Sequence, residues 1–181
     1  LADLAAAWMV AGFVHGGLNT DNMNISGESF DYGPWRWLPR WDPGFTAAYF
    51  DHAGLYAFGR QPEALLWNCG QLAVALRTLA ETAPLVAALD RFGPLYAAAM
   101  ARRFAWRLGV EEAPLEQMRG LIGAAEAHMR GHDLSPDALF FAHRCGRNPP
   151  PGEFGDQLSR LRPAAGLDHA LWQEQAPPGL V

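Results

Sequence analysis

Residues 15–23 read HGGLNTDNM, and residues 31–34, a short distance downstream, read DYGP. The segment between them, Asn24 to Phe30, reads NISGESF and predicts a tight hairpin that turns at Gly27. A loop with a carboxylate and an amide, followed by a second carboxylate on a D-x-G turn, is the arrangement of a kinase-type Mg-nucleotide site. The sequence therefore predicts a nucleotide site built from these two motifs.

The spacing within the loop departs from that of ordinary kinases. Asn22 lies seven positions after His15, the separation found in the kinase motif H-R-D-x-x-x-x-N. However, Gly17 stands where that motif has its catalytic Asp, and the only carboxylate in the loop is Asp21. The pattern is kinase-like but rearranged, which counts against a conventional phosphotransferase.

These motifs and the segments after them closely resemble the selenoprotein O family (SelO, also called YdiU) of kinase-fold protein adenylyltransferases. Members of that family carry H-G-V-x-N-T-D-N-M-S-I, then I-D-Y-G-P, then D-P-G-F, and later a Q-P and an L-W-N segment. The counterparts here are HGGLNTDNMNI, FDYGP, DPGF, Gln61-Pro62 and Leu66-Trp67-Asn68. The strong match covers about residues 8–76.

The resemblance implies a mainly α fold, the C-terminal lobe of a protein-kinase-like domain, with one small β-hairpin in the catalytic region near Ile25–Asp31. It also implies a nucleotidyltransferase that moves AMP from ATP to the Ser, Thr or Tyr hydroxyls of protein substrates. By the same resemblance, Asn22 and Asp31 ligate a Mg²⁺ (or Mn²⁺) ion that bridges the nucleotide phosphates, and Asp21 is the catalytic carboxylate that orients or deprotonates the acceptor hydroxyl. Amide and carboxylate oxygens are suitable ligands for these hard cations.

His15 has two interpretations. As an imidazole beside a carboxylate loop it is a candidate general base, whereas the kinase analogy makes it a brace that holds the loop against the D-x-G turn. We favour the brace. Asn19 and Thr20 are expected to shape the loop rather than to touch substrate.

Composition sets broad limits on the function. The chain has 181 residues, half of them apolar and 18% charged, as in a globular domain with a real core. A net charge of −5 without a basic run argues against nucleic-acid binding, and no apolar stretch approaches the roughly 20 residues that span a bilayer. Cys69 and Cys145 are far apart and form no C-x-x-C motif. We therefore expect a reducing bacterial cytoplasm.

All 14 basic residues are arginines, and lysine is absent. Kinase-type folds hold the nucleotide phosphates partly with a lysine on a strand of the N-terminal lobe. We therefore expect the chain to be a fragment that needs the N-terminal lobe of the same protein as its partner, and to be nearly inactive alone.

Two regions are expected: residues 1–145 as the kinase-like C-lobe that carries both motifs, and 146–181 as a Pro-rich linker and helical extension of the same domain. The segment 34–59 is irregular and rich in aromatic residues, which we expect to serve as core and loop anchors. In the helix that begins at Gln61-Pro62, the predicted apolar face comprises Ala64, Leu65, Asn68, Leu72, Ala75, Leu76 and Leu79. Periodicity and capping residues predict helices over residues 1–14, 61–79, 84–91, 95–108, 114–130, 136–144, 154–161 and 167–174.

Two other functions stay open. One is a kinase-type phosphotransferase. The other is a non-catalytic pseudokinase or helical interaction module, although an intact set of Asp21, Asn22 and Asp31 is more than a scaffold requires.

Overall fold

The computed structural model describes residues 1–166, and this part of the chain is mainly helical, as predicted. The predicted helix over 167–174 lies outside the described residues. No helix within the described range combines the length and apolar character needed to cross a bilayer. The helices are α1 (Ala2–Ala11), α2 (Gln61–Leu76), α3 (Thr82–Asp90), α4 (Phe92–Leu108), α5 (Leu115–Gly131), α6 (Pro136–Ala142) and α7 (Glu153–Leu158).

The first helix ends earlier than predicted. Gly12 adopts a left-handed conformation with φ 69° and donates its N–H to Met9 O at 3.2 Å, which terminates α1. The next two residues form strand β1 (Phe13–Val14), which pairs antiparallel with β2 (Arg36–Trp37). The prediction of a helix through residue 14 was therefore wrong at its end, and a short strand leads into His15.

The predicted turn at Gly27 is confirmed, although the pairing around it is minimal. Gly27 has φ 88°, and Asn24 N donates to Glu28 O at 2.7 Å. A single antiparallel bridge joins Met23 to Ser29. The two-stranded sheet is formed instead by β1 and β2, which enclose the whole segment that carries both motifs.

The second helix begins where Gln61-Pro62 predicts it, with the proline in its first turn. It packs against α1. The predicted apolar face was wrong beyond Asn68, because Leu72 is 39% and Leu79 is 83% exposed. The core around this helix pair contains Ala2, Ala5, Trp8, Phe13, Leu18, Leu65 and Phe92.

The starts of α6 and α4 can be compared with the predicted helix boundaries. Ser135 Oγ accepts a hydrogen bond from Ala138 N at 3.1 Å and so caps α6, which confirms the predicted start of a helix at residue 136. In contrast, Gly93-Pro94 does not separate two helices, because α4 begins at Phe92 and holds the proline in its first turn. Proline is tolerated there since first-turn N–H groups have no partner within the helix.

Four of the eight Trp, Tyr and Phe residues in the segment 34–59 are exposed, so the prediction that these residues serve as core and loop anchors holds only in part. Phe58 is fully buried. Trp35 and Trp37 contact Phe13, with ring centroids 6.0 and 5.4 Å away, and each remains about half exposed. The exposed members are Trp35, Trp37, Tyr49 and Phe50.

The structure divides into two compact units. The first comprises Leu1–Leu38 and Asp42–Met100, and the second comprises Pro39–Trp41 and the chain from Ala101 onward. In the second unit, α5 packs against α6 and α7. Both sequence motifs lie in the first unit, which therefore contains the candidate site.

Candidate functional site

Strand β1 delivers the chain into a tightly packed turn at His15 and Gly16. His15 is fully buried. Gly16 has φ 85°, and a Cβ atom at this position would lie 3.0 Å from Ala47 Cβ and 3.3 Å from Pro34 Cγ. Both the backbone conformation and the lack of space therefore require glycine here.

A chain of hydrogen bonds runs from Gly17 through His15 to Asn22. Gly17 N–H donates to His15 Nδ1 at 3.2 Å, so the ring proton is assigned to Nε2. Nε2 lies 2.8 Å from Ser29 Oγ, to which it donates, and Ser29 Oγ in turn donates to Asn22 O at 3.0 Å. Nδ1 thus stabilises the loop itself, whereas Nε2 links the loop to the hairpin through Ser29.

Burial determines the charge of this imidazole. It lowers the pKa of His15 from 6.5 to about 4, which outweighs the opposing effect of the Asp31 carboxylate. The ring is consequently neutral near pH 7. A neutral histidine with both nitrogens engaged acts as a brace, and the structure favours this interpretation over a general base.

Asn22 is held by its amide nitrogen. It lies in the 3₁₀ turn Thr20–Asn22, and its Nδ2 donates to Gly17 O at 2.8 Å. Its Oδ1, the atom that can ligate a cation, has no hydrogen-bond partner within residues 1–166. The loop therefore fixes the side chain and leaves its acceptor free.

The D-Y-G turn packs directly on this loop. A Cβ atom on Gly33 would lie 3.4 Å from both Gly17 N and His15 O, so the two backbones are in contact. The Tyr32 ring lies 5.2 Å from that of His15. Asp31 is exposed at the start of the turn, near enough to His15 to affect its pKa. The structure thus brings the two motifs together.

Asp21 is exposed in the same 3₁₀ turn. Burial raises the pKa of the Tyr56 hydroxyl, and the carboxylates of Asp51 and Asp21 add to this effect. Tyr56 also donates a hydrogen bond to Asn19 Oδ1. The Asn19 side chain is thus held by Tyr56, and Asp21 and Tyr56 lie within electrostatic reach of each other.

Two residues of α2 that the sequence analysis did not assign to the site bind the backbone of the loop and of the strand before it. Gln61 Oε1 accepts from His15 N at 2.9 Å, and Gln61 Nε2 donates to Phe13 O at 2.8 Å. Asn68 Nδ2 donates to Leu18 O at 3.2 Å. An amide side chain on an otherwise apolar helix face is the sequence feature that could have pointed to these residues. It does not identify the backbone groups that they bind, because those groups are remote in sequence.

The donor set limits the kind of metal that this site can hold. Within residues 1–166, no group of three or more His, Cys, Asp or Glu side chains is placed to hold an ion. Asn22 and Asp31 offer one amide and one carboxylate. These two ligands fit an ion that keeps waters and substrate phosphates in its shell, as Mg²⁺ does, and do not fit a metal held by protein alone.

Comparison with known proteins gives consistent matches. Residues 1–144 match the family described as "Protein adenylyltransferase SelO". A relative from Synechococcus sp., described as "Protein nucleotidyltransferase YdiU", is 53% identical over 110 residues, which make up 61% of this chain and 22% of the relative. Relatives with the same description from Trichormus variabilis and Xanthomonas campestris pv. campestris are each 43% identical, over 141 and 148 residues. Those matches cover 78% and 75% of this chain and 29% of each relative.

The chain thus spans between about a fifth and a third of the length of the curated relatives that it matches. The family match nevertheless covers most of the chain, including the loop and the D-Y-G turn. The chain belongs to the SelO family of protein adenylyltransferases.

Proposed function

We propose that this chain carries the catalytic loop and the metal-binding turn of an enzyme that transfers AMP from Mg-ATP to Ser, Thr or Tyr hydroxyls of protein substrates. The observation that carries the proposal is the contact between the loop and the D-Y-G turn, in which Asn22 is fixed by Nδ2 and keeps Oδ1 free. Family membership supports adenylyl transfer rather than phosphoryl transfer.

Each of the three polar residues has a role in this proposal. Asn22 and Asp31 would hold a Mg²⁺ ion, which would supply positive charge to offset that of the nucleotide phosphates. Asp21 orients the acceptor hydroxyl or takes its proton. The acceptor oxygen forms a bond to the α-phosphorus, the bond from that phosphorus to the bridging oxygen breaks, and pyrophosphate leaves.

The remaining phosphate contacts come, in this proposal, from the N-terminal lobe of a family-length protein. The absence of lysine from the chain supports this, since kinase-type sites use one there. Residues 1–145 then act as the kinase-like C-lobe and 146–181 as its extension. We propose a bacterial cytoplasmic setting without nucleic-acid or membrane partners, in which Cys69 and Cys145 stay free thiols.

The test incubates the full-length protein with Mg²⁺ and ATP labelled at the α- or the γ-phosphate. We expect protein labelled from the α-position only, and loss of that label in Asp31→Ala. Glu28→Ala is the matched control, because Glu28 is an exposed carboxylate of the same segment whose side chain bonds, within residues 1–166, to Ser26 alone. Label from the γ-position alone would identify a kinase-type phosphotransferase. Binding of Mg-ATP without any label would identify a non-catalytic pseudokinase or interaction module.

A further inference from the structure

The second helix has a buried face and an exposed apolar face. Gln61, Leu65 and Asn68 are its buried residues. On the other side, Trp67 is 65% and Val74 is 58% exposed, values that are unusual for large apolar side chains close together on one helix. Exposing apolar surface to water costs free energy, so an element that packs on this face would stabilise the protein.

The third helix extends the same surface. It contacts α2, yet none of its residues is buried. Leu79, in the connection between the two helices, is 83% exposed, and Val86 of α3 is 48% exposed. The uncovered apolar surface therefore reaches well beyond α2.

A cleft of about 900 Å³ lies along this surface and reaches the candidate catalytic loop. Leu18, Asn19 and Thr20 of the loop form part of its wall. Its charged groups, Arg60 and Glu63, pair with each other at 3.3 Å. The apolar part of the wall consists of Leu18, Leu55, Ala64, Leu66, Trp67, Val74 and Leu89.

Asn68 provides an independent sign that the cleft receives a ligand. Its side chain lines the cleft, and the residue is only 6% exposed. Nδ2 donates to Leu18 O, but Oδ1 is buried and has no hydrogen-bond partner among the described residues. Buried acceptors are nearly always satisfied in proteins. A donor from an occupant reaches this acceptor only when the side chains that cover it move aside.

We propose that the occupant is an amphipathic helix from the part of a family-length polypeptide that lies outside this chain. Its apolar side packs on Trp67 and Val74, and a polar side chain donates to Asn68 Oδ1. Packing a third helix on a helix pair is a usual way to bury such a face. The Synechococcus relative has ample chain to supply it, because the matched segment is only 22% of its length.

The extent and chemistry of the surface favour this occupant over two others. A small ligand in the cleft would leave Leu79 and Val86 in water. An acceptor protein that binds only during turnover would leave the whole face exposed for the rest of the time. Permanent interfaces are more apolar than transient ones. The charged residues that line this cleft, Arg60 and Glu63, pair with each other. The proposal concerns assembly and does not depend on the reaction that the site performs.

The first test compares Val74→Asp with Ala75→Asp in the 181-residue chain and in the full-length protein. Both positions are exposed on α2, but only Val74 lines the cleft. In the 181-residue chain we expect the two variants to have similar melting temperatures. In the full-length protein, only Val74→Asp should lower the melting temperature, by more than about 3 °C. Equal effects in the full-length protein would overturn the proposal.

The second test measures oxidative labelling of Trp67 by mass spectrometry. We expect labelling in the full-length protein to be at least about fivefold slower than in the 181-residue chain, at every protein concentration. Unchanged labelling would show that the face stays uncovered. Protection that appears only at high concentration would indicate a second copy, and protection that requires added acceptor protein would indicate a substrate cleft; both results would overturn the proposal.

Discussion

One side chain, Gln61, binds the backbone on both sides of Val14: it accepts from His15 N at 2.9 Å and donates to Phe13 O at 2.8 Å. The two partners are more than forty positions away in sequence. The first residue of α2 thus fixes the point at which β1 becomes the candidate catalytic loop.

We predict that Gln61→Ala lowers the free energy of unfolding by about 2–4 kcal/mol. It leaves the buried His15 N–H and Phe13 C=O without partners, and each orphaned group costs about 1–3 kcal/mol. Urea unfolding followed by circular dichroism measures the change. Gln71→Ala is the control, since Gln71 is on the same helix and makes no side-chain hydrogen bond within the described chain. Equal losses in the two variants would contradict an anchoring role.

We predict that His15 makes stability fall as the pH is lowered from about 6.5 to about 4. The folded state holds the pKa of His15 at about 4, below the ordinary value of 6.5, so in this window the unfolded chain binds a proton that the folded chain does not. The stability present above pH 6.5 is then lost by up to about 3 kcal/mol. Parallel urea titrations of the wild type and His15→Gln isolate this contribution. If the difference between them does not change with pH, the imidazole is not held neutral.

We predict opposite effects for two glycine-to-alanine substitutions. Gly16→Ala should destabilise by about 1–3 kcal/mol, because φ 85° is strained for alanine and its Cβ would press on Ala47. Gly70→Ala should stabilise by about 0.5–1 kcal/mol, because Gly70 lies inside α2 and a Cβ there meets nothing within 4 Å. Thermal unfolding of both variants checks the pair. A stabilising Gly16→Ala would show that the turn has another conformation.

We predict that Asn22→Ala and Asp31→Asn differ in stability but not in metal-dependent binding. Both should weaken Mg²⁺-dependent ATP binding to the full-length protein by at least about tenfold, since each removes one proposed ligand. Only Asn22→Ala should also lower stability, by about 1 kcal/mol, because it loses the bond to Gly17 O. Titration calorimetry with and without Mg²⁺, together with urea unfolding, separates the two effects. Unchanged Mg²⁺-dependent binding in Asp31→Asn would remove that residue from the site.

The sequence predicts local features of the fold well because their causes are local. The Gly27 turn, the start of α2 at Gln61-Pro62 and the Ser135 cap each depend on the conformational preference or hydrogen bond of one or two residues. The end of α1 was wrong by three residues, because helical periodicity continues through Phe13 and Val14 while Gly12 ends the helix.

The proximity of the two motifs was also predictable, since a tight turn joins them. The hydrogen bonds that α2 makes to the loop and to the strand before it were not predictable in the same way. Gln61 and Asn68 bind backbone groups that are distant in sequence, and a polar residue on an apolar face does not reveal its partner. Periodicity likewise predicted an apolar face through Leu79, but it does not show whether another element packs on that face, and Leu72 and Leu79 are exposed.

The seven-residue interval between Gln61 and Asn68 is about two turns of helix, which puts both amides on one side of α2. Inserting one residue between them would rotate one amide by about 100° away from the loop. An added residue in the Asn24–Glu28 turn would not change the direction of either amide relative to the loop. The number of residues between these two amides must therefore stay constant if both are to bind the loop. We expect insertions and deletions to be excluded between positions 61 and 68 and to be tolerated at the hairpin tip.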